Sequence, residues 1–302
     1  MTAVDPGELG KRYHQQLFKT GENLRERAVN FKELAESTIN EYKGVIENQR
    51  QQLQPRAAAI VEQYKASIQD LESPISPNAS SFLLKSYLWT GVCLFFSAVA
   101  STVSGIALYG IVGAMFDTWT SVLLTFVALP AFVFLQLRKV QMSESEREQV
   151  VLFGSVAEGL LVGALLSNRV STIYGPPVFL LPLAVGLLAH FAGAKEQVAG
   201  KRPVFLGALL GGALGAYALY GFIFNFSFAY ILSVMILGAA AAADLQLKVA
   251  SVNRGDSSPQ LEQWKTVVIL TIAGTVAHFL ASVDKESAAA INEASQESAA
   301  KK

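Results

Sequence analysis

Long runs without charge dominate the chain after residue 80. Five stretches contain no Lys, Arg, Asp or Glu: 86–116, 118–137, 170–194, 203–243 and 266–283. An apolar stretch of about 18 or more residues without charge is typical of a helix that spans a membrane. The segment 149–168 carries a single acid, Glu158, and has the same character. The run 203–243 is long enough for two helices with a turn near Asn225.

The pattern therefore predicts an all-α polytopic membrane protein with seven spanning helices. Their expected bounds are 83–107, 117–137, 149–168, 177–194, 204–223, 227–247 and 265–283. We expect a long amphipathic helix before this seven-helix bundle. The chain then divides into a cytosolic helical region 1–72, a turn-rich linker 73–81, a membrane domain 82–283 and a polar tail 284–302.

The N-terminal region has a different pattern, which repeats every seven residues. Leu17, Leu24 and Phe31 share one register, and acids alternate with bases around them. A narrow apolar stripe of this kind is typical of a long helix or a coiled coil. Two interpretations remain open: a coil that binds a protein partner through residues 7–72, and a solvated helix or helical hairpin. Pro55 is expected to kink or split the helix.

Composition excludes several classes of function. The 302 residues carry 24 Lys and Arg against 24 Asp and Glu, so no net charge attracts nucleic acid. Cys93 is the only cysteine, which excludes an internal disulfide and a multi-cysteine zinc site. Glycine loops that hold phosphate, metal motifs and paired intramembrane aspartates are also missing from the sequence. We therefore expect no cofactor, no metal and no enzymatic activity.

Basic residues of the loops predict the orientation. They follow the even-numbered spans: Arg138, Lys139 and Arg147, then Lys195, Lys201 and Arg202, then Lys248 and Arg254. Loops after the odd-numbered spans carry only Arg169. Cytosolic loops are enriched in Lys and Arg, so the N-terminus is expected in the cytosol.

Asp244 is the first candidate functional residue, because it follows five alanines near the end of the sixth predicted span. Small residues allow a neighbouring helix to approach closely, which favours a buried carboxylate at a contact between helices. The alternative is an interfacial residue that reaches water, with Lys248 one turn further along the same helix.

Glu158 is the second candidate, near the middle of the third predicted span. Ionisable groups inside a membrane usually face the interior of the bundle, where they mark an ion route or make a structural hydrogen bond. Gly159 and Gly163 follow it as a G-x-x-x-G pair, a pattern that favours close packing of helices.

Several segments together resemble the Bax inhibitor family, the transmembrane Bax-inhibitor-motif proteins. They are "LLKSYLWTGVCLFFSAVAS", "SEREQVVLFGSVAEGLLVGALL", "GKRPVFLGALLGG" and "YILSVMILGAAAAADLQLKVASVNRGD". The similarity covers residues 80–283, with Asp244 and Gln246 at the positions of the family's aspartate and glutamine. It implies a seven-helix protein of the endoplasmic reticulum that suppresses cell death and leaks calcium in a pH-sensitive way.

The resemblance also implies a partner for Asp244 in the last span. In the family that partner is a second acid, and its position here falls at or near Lys265, with Glu262 one turn earlier. If Lys265 is the partner, an Asp–Lys pair weakens proton gating; if Glu262 is the partner, the two acids form a pH latch. A function of another class remains open, in which an inert bundle in the lipid bilayer presents the N-terminal helix to protein partners.

Overall fold

The computed structural model describes most residues of the predicted membrane domain. It describes residues 58–108, 117–139, 141–171, 175–195, 198, 200–224, 226–255, 258–285 and 287. The chain divides into two units, Met1–Lys65 and Ala66–Lys302, and the elements named below all belong to the second unit. Most of the predicted N-terminal helix, and most of the polar tail, lie outside the described residues.

The described part is all-α apart from one short pair of strands. The helices are α1 Ala79–Val103, α2 Thr118–Leu123, α3 Leu129–Leu137, α4 Glu144–Leu166, α5 Leu180–Gly193, α6 Arg202–Phe224, α7 Phe228–Arg254 and α8 Pro259–Leu280. A π-helical turn, Ser104–Leu108, extends α1, and a second one, Leu124–Ala128, joins α2 to α3. The prediction of an all-α fold is confirmed at this level.

The predicted count of seven spanning helices is not confirmed. Among the described residues, six helical stretches are long and apolar enough to cross a membrane. The predicted fourth span, 177–194, is instead the 14-residue helix α5. At 1.5 Å per residue it is roughly 21 Å long, against about 30 Å for the apolar layer of a bilayer.

The sequence before α5 explains why this helix is short. Gly175, Pro176 and Pro177 precede it, and proline lacks the backbone N–H that a helix interior requires. The carbonyl groups of this non-helical segment need donors from the protein if they lie within the membrane. Tyr217 of α6 supplies one, because its hydroxyl donates to the Pro177 carbonyl oxygen at 3.1 Å.

Local signals fix the ends of the long helices. α4 begins with a capping box in which Ser143 Oγ accepts from the Glu146 N–H at 3.3 Å and Glu146 Oε2 accepts from the Ser143 N–H at 2.7 Å. α7 ends at Gly255, whose φ of 74° lies in the left-handed region that favours glycine. α8 begins at Pro259, where the missing N–H costs nothing.

Helix α1 contacts α4, α5 and α8. Small residues permit the two closest approaches. Gly159 and Gly163 of α4 lie against the backbone of Ser97 and Ser101, and a methyl group at either glycine would overlap a carbonyl oxygen. On the α5 side, a Cβ at Gly91 would lie 2.5 Å from Leu183 Cγ. Close backbone approach of this kind is how helices pack where water does not drive them together.

The helix directions gather most loop bases at one end, which we call the basic end. There α1, α4, α6 and α8 begin, and α3, α5 and α7 finish. Ser80 at the start of α1 donates to the Ala189 carbonyl of α5 at 2.6 Å, which places these two helix ends together. At the opposite end, strand β1 Arg169–Ser171 pairs antiparallel with β2 Ser282–Asp284.

We expect the glycine contact to control stability. Gly159→Ala should lower the free energy of unfolding by about 1–3 kcal/mol, because the added methyl meets the Ser97 carbonyl. Gly211→Ala in α6 is the matched control, since nothing lies within 4 Å of its added methyl. Unfolding of the purified variants in mixed micelles tests this. A Gly159→Ala protein as stable as Gly211→Ala would show that α1 and α4 are not packed this closely.

Candidate functional site

A buried polar cluster lies at the basic end, where α1, α7 and α8 meet. We define it as Ser86 and Tyr87 of α1, Asp244 and Lys248 of α7, and Thr266 of α8. Asp244 is 2% exposed, and Lys248 is fully buried. Charged groups are rarely buried unless they are paired, so the contacts inside this cluster decide what it does.

Asp244 receives hydrogen bonds from two other helices. The Tyr87 hydroxyl of α1 donates to Asp244 Oδ2 at 2.7 Å. The Thr266 hydroxyl of α8 lies 2.9 Å from Oδ1 and 3.0 Å from Oδ2. Both carboxylate oxygens are thus engaged, and the side chain ties α1 and α8 to α7.

Lys248 is the buried counter-charge of the cluster. Its Nζ lies 3.8 Å from Asp244 Oδ2, one turn away on the same helix. The ammonium group also donates to Ser86 Oγ at 3.0 Å and sits 3.7 Å from the centre of the Tyr87 ring. An ammonium over an aromatic face is attracted by the negative face of the ring. The Lys248 ammonium is fully buried. The Asp244 carboxylate, the Ser86 hydroxyl and the Tyr87 ring together stabilise its charge.

The two partners left open for Asp244, Lys265 and Glu262, bond each other instead of Asp244. Lys265 Nζ bonds Glu262 Oε1 at 2.7 Å on its own helix, and Ser251 of α7 donates to the same oxygen at 3.2 Å. Glu262 does not bond Asp244 either, although it is only 4% exposed. Successive helical residues point about 100° apart, so Thr266 faces α7 while Lys265 turns away and keeps about a third of its side chain exposed.

Gln246 takes part in a second polar contact at the basic end. Its Oε1 accepts from Arg202 at 2.9 Å, and the same guanidinium bonds Asp70 Oδ2 at 2.7 Å. The pKa of Asp70 is lowered to about 2, chiefly by hydrogen bonds from Ser73 and further by the charge of Arg202. The ordinary value is 3.8, so stability from the ionised form is present above about pH 4 and is lost as the pH falls towards 2.

Glu158 is not part of the polar cluster. It is fully buried, and neither carboxylate oxygen has a hydrogen-bond partner among the described residues. Gly159 and Gly163 follow it on α4 and form the contact with α1 described above. A buried carboxyl group without a partner is costly. The structure therefore leaves Glu158 as an isolated group inside the bundle.

Sequence reasoning missed most of the cluster. Tyr87, Ser86 and Thr266 are common residue types without a distinctive pattern, and their contacts with α7 join residues far apart in the chain. Lys248 did carry a signal, because it stands four residues after Asp244 and therefore on the same helix face. That spacing was compatible with an interfacial pair as well as a buried one.

Comparison with known proteins identifies the family. A family model described as "Interactor of ZYG-11" matches residues 9–281. No curated protein and no solved structure matches the chain. Since the match covers most of the sequence, the chain belongs to the ZYG-11 interactor family.

This finding overturns the resemblance to Bax inhibitors. The chain is not a member of that family, and the expected cell-death suppression and pH-sensitive calcium leak lose their support. The motifs behind the resemblance are short and apolar, and such patterns recur in unrelated membrane helices. The N-terminal region was expected to lie outside the family pattern. It is instead part of the family match, which begins at residue 9.

We expect each charge of the buried pair to depend on the other for stability. Asp244→Leu should lower the free energy of unfolding by about 3 kcal/mol or more, because it leaves the buried Lys248 ammonium without a counter-charge. The double variant Asp244→Leu, Lys248→Met should recover much of that loss, since neither charge of the pair then remains. Lys201→Met, at an exposed position, is the control and should change stability by about 0.5 kcal/mol at most. A double variant no more stable than the single one would contradict the pairing.

Proposed function

We propose that this member of the ZYG-11 interactor family is a multi-pass membrane protein that binds a ZYG-11-type protein at its basic end. The helices would hold the chain in the bilayer, and residues 7–72 would meet the partner. The single observation that carries the proposal is the family match, which runs from the charged N-terminal region through the apolar helices. A single family model thus covers both the N-terminal region and the apolar helices. Its description names a protein, ZYG-11, as the interaction partner.

The surface of the helices supports the membrane placement. Large apolar side chains point outward on several of them, including Phe222 of α6 at 84% exposed and Trp119 of α2 at 76% exposed. Extended apolar surface of this kind is unfavourable in water and is suited to contact with lipid. In the described part of the chain, six helical stretches also have the length that a bilayer requires.

Contacts at the basic end support a fixed exit point for the N-terminal region. Asn253 at the end of α7 donates to the Pro74 carbonyl at 2.8 Å and accepts from the Ser76 N–H at 3.1 Å. Arg254 and Arg202 bond Ser67 and Asp70. The segment that directly precedes α1 is therefore tied to the bundle.

The buried cluster supports a role in binding rather than in catalysis. Asp244 and Lys248 are enclosed by side chains from three helices and engage one another and their neighbours. A substrate would have to separate these helices to reach them. We infer that the cluster keeps the ends of α1, α7 and α8 in the arrangement that the partner binds.

The orientation is also a proposal. Cytosolic loops are enriched in Lys and Arg, so we place the basic end and the N-terminus in the cytosol. The endoplasmic reticulum remains a prediction for the membrane concerned.

The N-terminal region should determine capture of the partner. In the full-length chain, Arg25→Glu with Arg27→Glu should weaken binding of purified ZYG-11 about tenfold or more, because charge at an interface sets its fit and its association rate. The matched control reverses two charges in the tail, Lys301→Glu with Lys302→Glu, and should leave binding unchanged. Equal binding by both variants would place the contact elsewhere, and failure of the natural chain to bind would refute the partner.

Cysteine labelling tests the orientation. Cys93 is buried, so a cysteine introduced at the surface gives a distinct signal. Lys139→Cys at the basic end should react with an impermeant maleimide only from the cytosolic side. Gly175→Cys, on the exposed segment before α5, should react only from the other side. Reaction of both from the same side would rule out the proposed arrangement.

A further inference from the structure

Two serines in the segment before α1 are each followed by proline. They form the pairs Ser73–Pro74 and Ser76–Pro77. Residues 70–78 are neither helix nor strand, both prolines are exposed, and Ser73 is half-buried. A residue before proline favours an extended backbone, and an extended, accessible serine is what a serine kinase requires of its substrate. The segment therefore offers two acceptors to the proline-directed kinases, which require proline directly after the serine.

Ser73 belongs to a contact that ties this segment to the bundle. Its backbone N–H donates to Asp70 Oδ1 at 3.0 Å, and its hydroxyl also bonds this carboxylate. The Glu72 N–H donates to the same Oδ1 at 3.1 Å. The other carboxylate oxygen, Oδ2, accepts from Arg202 of α6 at 2.7 Å. The Ser73 hydroxyl therefore supports the carboxylate that holds Arg202.

The ionised Asp70 carboxylate is accessible, whereas its partner Arg202 is not. The Asp70 side chain is 29% exposed, and its pKa of about 2 keeps it charged at neutral pH. The Arg202 side chain is 1% exposed and also donates to Gln246 Oε1 at 2.9 Å. A charge added at the Ser73 oxygen is thus placed beside an existing carboxylate, while the enclosed guanidinium has little freedom to follow it.

We propose that Ser73 is phosphorylated by a proline-directed kinase, and that the phosphate frees the turn 70–73 from Arg202. Ser73 Oγ attacks the γ-phosphorus of ATP, the bond from that phosphorus to the leaving ADP oxygen breaks, and the base of the kinase takes the hydroxyl proton. The product no longer has the O–H that Asp70 accepts. It also carries about two negative charges at neutral pH, and a phosphate next to an acid disrupts contacts by repulsion. Asp70 therefore moves away from the phosphate and no longer holds Arg202.

Ser76 is the matched comparison within the same segment. It contacts α7 through its backbone N–H, which donates to Asn253 Oδ1 at 3.1 Å. A phosphate on the Ser76 hydroxyl leaves that N–H in place, so this second pair does not control the contact of Asp70 with Arg202. In a cell, access of a kinase rests on the cytosolic placement of the basic end proposed above. Phosphorylation of the purified protein does not depend on orientation, so the two proposals fail separately.

Phosphorylation of the full-length chain tests the site. The protein in mixed micelles is incubated with a purified proline-directed kinase, Mg²⁺ and ATP, and the phosphate is located by mass spectrometry of the peptides. We expect it on Ser73. Pro74→Ala should abolish this phosphorylation although the acceptor hydroxyl is still present, and Pro77→Ala is the matched control that should leave it unchanged. Ser73→Thr should retain the phosphate, because it keeps a hydroxyl before the proline.

Hydrogen exchange of single amides tests the release of the turn. The Glu72 and Ser73 amides donate to Asp70, so after phosphorylation they should exchange about tenfold faster, the effect of losing one hydrogen bond to a charged group. Rates are compared with those of an isolated phosphopeptide of the same sequence, which corrects for the effect of the phosphate itself. The Ser76 amide is the internal control and should keep its rate. Asp70→Ala without kinase should show the same acceleration at Glu72.

Three results would contradict the proposal. If the kinase modifies a free peptide of residues 70–79 but not Ser73 of the folded chain, Ser73 is not a site. Phosphate on Ser76 alone, or equal phosphorylation of Pro74→Ala and Pro77→Ala, would also remove the assignment. Phosphorylated Ser73 with an unchanged Glu72 exchange rate would overturn the release, because Arg202 would then have taken the phosphate in place of Asp70.

Discussion

The buried pair of Asp244 and Lys248 sets the register of the bundle. Both charges stand on α7, and each requires a hydroxyl from α1: Tyr87 for the carboxylate and Ser86 for the ammonium. Ser86 and Tyr87 are neighbours in the sequence. A shift of α1 along α7 would therefore break both contacts together. Buried charges lose much of their stabilisation when their partners move away, so the pair favours one alignment of α1 and α7.

Helix α1 also packs against other helices, so its position relative to α7 affects their positions too. It lies against α4 through Gly159 and Gly163, and against α5 near Gly91. The same helix continues the segment that Asn253 holds at the end of α7. One buried ion pair is thereby connected to the surface where the N-terminal region leaves the bundle.

The sequence predicted the helical class well and the pairings poorly. A spanning helix is specified by apolar composition over about 20 residues, which is visible without any knowledge of neighbours. The length of α5 was overestimated because its charge-free run includes Pro176 and Pro177, which delay the start of the helix but leave the run apolar. The partner of Asp244 depended on helical phase, and a difference of one residue replaced Lys265 with Thr266. The contact with Tyr87 joins helices far apart in the chain, which no local pattern encodes.

The short helix α5 gives the bundle an uneven height. Leu187 and Phe191 are exposed on it, so this side of the protein offers an apolar surface to its surroundings over a length of only about 21 Å. In the proposed bilayer placement, lipids beside α5 would contact a shorter apolar surface than lipids beside α7. A bilayer answers such a mismatch by thinning locally, at a modest cost for each ångström. In the proposed placement, the protein would match a thinner bilayer on the side of α5 than on the side of α7.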